Sequence, residues 1–165
     1  MSLLLGKNKF GGIMKKFVWR ATMLVLVLLA ACSINNVNLP DPEGLFLEII
    51  DSVELPEMID VSEEFLEPVM GINSCDYEAA VYYILSESTG PDEIAIIKAK
   101  DDKSATDIQE KLENRLEYKE KSAQIYLTEN MPIIQDGIVR RDDLTVSLIV
   151  SEKASEILEI YDSYG

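Results

Sequence analysis

Cys32 stands directly behind Leu29-Ala30-Ala31, and it is the position in this chain best suited to a covalent event. Small side chains before the cysteine let the peptide bond enter a peptidase cleft, and the thiol behind the cut can take a diacylglycerol as a thioether. The upstream residues fit that chemistry. Lys7, Lys9, Lys15, Lys16 and Arg20 precede Cys32 with no acid among them, and Ala21–Ala31 is an apolar run of 11 residues. A positive n-region, an apolar h-region and small residues before the cut define an export signal. The positive end stays on the cytoplasmic side while the following chain is translocated. A spanning helix needs about 20 apolar residues, and Ser33-Ile34-Asn35-Asn36 ends this run too early for one. Leu29, Ala30 and Ala31 are therefore read as signal-peptidase recognition residues and Cys32 as the lipidation site. The implied partner is the lipid bilayer, reached through a diacylglycerol on Cys32 at the extracytoplasmic face of the cell membrane. Met14-Lys15-Lys16-Phe17 reads as an alternative start that leaves a leader of 18 residues.

Carboxylates are the next reactive groups. Glu63-Glu64, Asp101-Asp102 and Asp142-Asp143 are the densest pairs. A glycosidase needs two carboxyls about 5–10 Å apart across a cleft, one with its pKa raised by burial. None of these pairs lies in an apolar stretch, so solvated turns explain them better than catalysis. Asp101-Asp102-Lys103-Ser104 lacks the alternating acids, central Gly and terminal Glu of a calcium loop. The chain has no His, which excludes a His-based triad, a His zinc site and a His pH switch. Cys75 precedes Asp76, whose charge disfavours a thiolate. No metal, no cofactor and no catalytic residue is expected. Tyr77, Tyr82, Tyr83, Tyr118 and Tyr126 could offer a stacking face for a sugar, although strand tyrosines are more often core. Tyr82 points away from the Tyr83 side and is the candidate interaction residue among them. Arg140-Arg141 is an adjacent cationic pair that could hold an anion or a partner's acid, or form a charged hairpin tip that blocks edge pairing.

These groups must be carried by a compact domain. The whole chain has 15 basic and 30 acidic residues. Residues 1–31 hold five of the basic ones and no acid, so the following 134 residues carry 10 against 30, a net charge of −20. That balance excludes nucleic acid as a partner and disfavours anionic head groups. Hydrophobic residues make up 47% of the chain, enough for a core despite the charge. The expected organisation is a signal peptide over 1–31, a tether over 32–42 rich in Asn and Pro, and one domain over 43–165.

Leu45, Phe46, Ile49 and Ile50 lie on one helical face. Ser62 can cap a short helix that Gly71 ends. Tyr77–Leu85 alternates as a half-buried strand, with Gly90-Pro91 marking the turn to a second strand over Ile94–Lys100. Ser104 opens the clearest helix, with Ala105, Ile108, Leu112 and Leu116 at spacings of three and four. Asp107–Lys111 and Glu117–Lys121 are favourable i,i+4 pairs along it. Met131-Pro132-Ile133-Ile134 forms a further turn. A strand begins at Ile138, turns at Arg140–Asp143 and returns over Leu144–Val150. Ser151 then caps a last helix bearing Ala154, Ile157, Leu158 and Tyr161. The expected fold is α+β: an antiparallel sheet of about four strands, β-β-α-β-β-α, with helices on one face and a helical N-terminal lead-in.

The chain over roughly 43–160 resembles the lipoproteins of the domain of unknown function family 4358. The landmarks are Leu55-Pro56-Glu57-Met58, the Gly71-Ile72 step, Asp92-Glu93-Ile94-Ala95-Ile96-Ile97-Lys98-Ala99-Lys100, the acidic-basic helix that follows, and the region from Tyr126-Leu127 to the final strand. The resemblance implies a short lipoprotein and implies no activity or site. Together these readings anticipate a membrane-anchored, non-catalytic binding or assembly domain whose partner is an unidentified envelope protein or ligand. The alternative is a cell-envelope hydrolase using carboxylates.

Overall fold

The computed structural model describes residues 38–86, 90–126 and 128–165. Leu29, Ala30, Ala31 and Cys32 lie outside the described residues, as does the whole of the predicted leader. Helix α1, Pro42–Ser52, opens the domain. Pro at its start suits the first turn, and the Asp41 carboxylate accepts from Gly44 N at 3.2 Å to cap it. A short strand β1, Met58–Asp60, and a single-turn helix α2, Ser62–Phe65, follow. Gly71 then takes a φ of +64°. That left-handed step is open to Gly at little cost, and it turns Ile72 back into the core, where it is fully buried.

The sheet is antiparallel throughout, in the order β1-β2-β3-β5-β4, with β2 Tyr77–Leu85, β3 Glu93–Ala99, β4 Ile138–Asp142 and β5 Thr145–Val150. Helix α3, Asp102–Tyr126, connects β3 to the second hairpin through a 3₁₀ turn, Thr128–Asn130, and a short helix α4, Met131–Gln135. Helix α5, Ala154–Asp162, ends the fold. Among the described residues the strands therefore number five. The extra one, β1, is three residues long and pairs Ile59 with Ile84, and a segment that short has no alternation to reveal it.

The helices lie on both faces of the sheet, not on one. Ala95, Ile97 and Ala99 of β3 and Val146, Leu148 and Val150 of β5 pack with Ala105, Ile108 and Leu112 of α3. On the opposite face, Ile94, Ile96 and Ile149 pack with Leu45, Phe46 and Ile49 of α1 and with Ile157 and Tyr161 of α5. The physical reason is visible in β3, which is apolar in both phases of its alternation, as strands covered on both sides are. In β5, Thr145 and Ser147 occupy the second phase, yet both are buried. Ser147 Oγ accepts from Tyr161 Oη at 2.9 Å, so helix α5 satisfies the polar side chain that it covers.

Three local expectations also change. Asp101, not Ser104, caps α3: its carboxylate accepts from Ser104 N at 2.8 Å. That bond, together with Ser104's side chain, holds the Asp101 pKa below the ordinary value. An acid is a strong cap and also meets the positive end of the helix. The β4–β5 turn falls on Asp143-Leu144, with Asp143 at φ +52°, which places Arg140 and Arg141 inside the edge strand. A register shift between Tyr77 and Ala79 puts Tyr77 with the α3-side core while Val81 faces α1.

Gly137 joins α4 to β4 in a crowded corner. A Cβ there would lie 2.7 Å from Leu116 Cδ1, 2.8 Å from the Ile134 carbonyl oxygen and 3.1 Å from Val150 Cγ2. Gly137→Ala is expected to cost about 1–3 kcal/mol by overpacking, read as a lower urea midpoint. An unchanged midpoint would mean that the corner opens freely.

Candidate functional site

The chemistry-bearing residues of the domain meet between β3 and α3. Glu93 begins β3 and shares the face of Ala95 and Ile97, so the pleat aims its carboxylate at the helix. It is fully buried. Arg115 and Lys119 stand one helical turn apart on α3 and both reach it. Arg115 Nε donates to Oε1 at 2.8 Å and Nη2 to Oε2 at 3.0 Å, while Lys119 Nζ donates to Oε2 at 2.6 Å. Tyr82 Oη, one strand away, donates to Oε1. Four donors thus saturate one buried carboxylate, and among the described residues no buried side-chain polar atom lacks a partner.

Burial alone raises the Glu93 pKa, but the Arg115 hydrogen bonds and the Lys119 charge outweigh it and hold the carboxyl below its ordinary value. Burial first, and then the Glu93 charge, push the Tyr82 phenol far above its usual range. Tyr82 is therefore a fixed neutral donor and Glu93 a fixed anion. Neither is poised to exchange a proton near neutral pH.

Above this network lies an open groove of about 470 Å³ between α3 and the α2–Gly71 corner. Phe65, Val69 and Met70 form one wall, and Lys111, Arg115 and Tyr118 belong to the other. The Arg115 guanidinium carbon sits 5.4 Å from the Phe65 ring centroid and 5.9 Å from that of Tyr118, within cation–π range. Lys111 does not pair with Asp107 as its spacing suggested. It crosses to the Gly71 carbonyl at 2.5 Å and ties the corner to the helix.

The candidates read from the sequence lie apart from one another. Tyr82 is on the side opposite Tyr83, but α3 covers that side and Tyr82 is fully buried, so it is no surface contact. Tyr83 stacks on Phe46 at 3.6 Å on the other face of the sheet, and Tyr118 is exposed on α3. Tyr82, Tyr83 and Tyr118 form no common stacking face. Arg140 binds Asp142 and Asp162 and lies over the Tyr161 ring. Arg141 binds Asp102, Thr106 Oγ1 and the Asp143 carbonyl. Both arginines are thus held within the domain, because acids from β4, α3 and α5 converge on the edge strand. Glu63, Glu64, Asp101 and Asp102 are exposed. Cys75 is free and exposed. Among the described residues, no three His, Cys, Asp or Glu side chains converge as a metal site.

Glu93 escaped sequence reading. The signal for it was an acid at the head of Ile94-Ala95-Ile96-Ile97, joined to two cations at i,i+4 on the next helix. What hid it is that strand phase alone does not show which face is dry.

A five-stranded antiparallel sheet covered by helices on both faces, with one saturated carboxylate between sheet and helix, defines an α+β domain with a charged core. The family model described as a domain of unknown function (DUF4358) matches residues 51–151, and the chain belongs to that family. The match spans Tyr82, Glu93, Arg115, Lys119 and the groove, and stops before α5. No curated protein and no solved structure gives a significant match to the chain.

Proposed function

We propose that this protein is a lipoprotein held by a diacylglycerol on Cys32 at the extracytoplasmic face of the membrane, where residues 43–165 serve as a non-catalytic binding or assembly domain. One observation carries the anchor: Leu29-Ala30-Ala31-Cys32 closes an 11-residue apolar run behind five cations. Among the described residues no helix is long and apolar enough to cross a membrane. The binding role is supported by the open groove beside α3 and by the state of the carboxylates. A hydrolase working through acids needs one carboxyl with a raised pKa in a cleft. Glu93, the buried carboxylate, is instead pinned as an anion by Arg115 and Lys119.

The test is the mass of the mature N terminus and incorporation of a palmitate analogue in cells. The wild-type chain is expected to begin at a diacylglyceryl-modified Cys32, and Cys32→Ala is expected to lose the label completely and to keep its leader. A wild-type protein with a free thiol at Cys32 would overturn the anchor.

A further inference from the structure

We propose that the groove between α3 and the α2–Gly71 corner docks a polypeptide segment of a partner protein, one that presents a carboxylate beside bulky apolar side chains. The proposal rests on the binding-domain reading above and assigns it a surface and a ligand chemistry.

Charge is the first observation. Acids outnumber bases two to one in the chain, 30 to 15, yet no acid lines this groove, while Lys111 and Arg115 do. Two other surface cavities among the described residues follow the bulk composition. One is lined by Asp136 and Glu152, the other by Glu48, Glu156 and Glu159. The cations are also not fully spent. Glu93 is one anion facing both Arg115 and Lys119, so its site carries an excess positive charge under the groove. Lys111 gives one of its three donors to Gly71. An incoming carboxylate would find charge already positioned, with the guanidinium held by the bonds it donates to Glu93 and by the two rings.

The apolar part is equally specific. Val69 is 58% exposed and Tyr118 64% exposed on opposite walls, with Phe65 packed behind them against Tyr82. Lys111, Asn114, Arg115 and Tyr118 follow i, i+3, i+4 and i+7, one face of α3 over two turns. That face is about 10 Å long, the span of roughly three extended residues. An anionic membrane surface suits the groove less well, because a flat bilayer also meets exposed acids outside the groove such as Glu110, Glu113 and Glu117, which it repels at close range. The domain's net charge of −20 does not forbid an acidic peptide, since fields from distant charges are screened beyond about 8 Å at physiological salt.

The experiment uses the full chain, purified with its anchor in neutral detergent. The probe is a short fluorescent peptide of Leu, Phe and Glu, compared with versions carrying Gln or Lys in place of Glu. The Glu peptide is expected to bind saturably, and the Gln and Lys versions at least about tenfold more weakly. Asn114→Glu and Val69→Asp alter exposed groove residues and are each expected to weaken the Glu peptide by at least about tenfold. Ile125→Glu adds the same charge at an exposed site outside the groove and is expected to leave affinity unchanged. Equal binding of the three peptides, no saturable binding of the Glu peptide, or groove variants that bind normally would each overturn the proposal. So would a dimer, or binding to phosphatidylglycerol vesicles, that Asn114→Glu abolishes, since the groove would then belong to a second copy or to lipid. The label on Cys32 is read separately. Peptide binding by an unlipidated wild-type chain removes the anchor and leaves the groove, and a lipidated chain with no binding does the reverse.

Discussion

Glu93→Gln is expected to lower stability by about 3–5 kcal/mol, the cost of leaving a buried charge without its partner. The variant keeps the shape of the side chain but removes the anion that Arg115 and Lys119 face. Two cations would then sit against a neutral amide with their side chains only 18% and 14% exposed. Its NH₂ would also point a donor at donors already there. The thermal midpoint should fall by roughly 10 °C or more, measured by circular dichroism. The pH profile gives the same interaction in the wild type. Because the folded-state pKa of Glu93 lies below its ordinary value, its contribution is fully present above the unfolded-state pKa and is lost as pH falls through the folded-state pKa. The wild type should therefore lose stability in acid along a slope that Glu93→Gln flattens. Replacing the whole network, Glu93→Leu with Tyr82→Phe, Arg115→Met and Lys119→Met, is expected to restore most of the loss, since apolar substitutes for buried ion pairs are often neutral or better. A Glu93→Gln protein as stable as the wild type would show that water reaches the site.

Tyr161→Ala is expected to cost about 3–5 kcal/mol, as deletion of a buried aromatic does. Tyr161 is fully buried on the face of the sheet opposite α3. It packs in one core with Ile149 of β5 and Leu45 of α1, donates to Ser147 and lies under the Arg140 guanidinium. Truncation opens a cavity, strands the Ser147 hydroxyl in a dry site and leaves Arg140 without its ring. Tyr161→Phe keeps the volume and should lose only about 1–3 kcal/mol, the cost of one unsatisfied buried partner. The pair of variants, compared by urea midpoint, separates packing from hydrogen bonding. Helix α5 lies beyond the stretch that the family model matches, yet it closes one of the two cores. Removal of residues 152–165 should uncover the part of that core that α1 does not reach, Ile149 included, and lose the cooperative unfolding transition.

Much of the fold was legible because its elements are locally periodic. Ala105, Ile108 and Leu112 mark α3 by spacing alone, and the structure buries all three. The alternation of Val146, Leu148 and Val150 likewise foretells their shared face. Arg140 and Arg141 were misplaced for a reason of the same kind. A run of four charged residues resembles a turn, whereas the edge strand tolerates charge because neighbouring acids neutralise it. The groove could not be read at all, since its walls are separated by 41 or more residues and meet only through packing.

The division follows from the range of the forces involved. Helix and strand periods, the Asp41 cap, the Gly71 reversal and the net charge depend on neighbours within a few residues or on composition, so the linear order of residues already determines them. The second layer of helices, the burial of Tyr82 and the meeting of Glu93 with Arg115 and Lys119 depend on contacts between residues 11 to 26 positions apart or more. A strand apolar in both phases can be covered on either side, and only the packing of α1, α3 and α5 decides that it is covered on both. Once α3 covers the Glu93 face, a carboxylate that would be one more solvated acid on a bare sheet becomes the fixed anion beneath the groove.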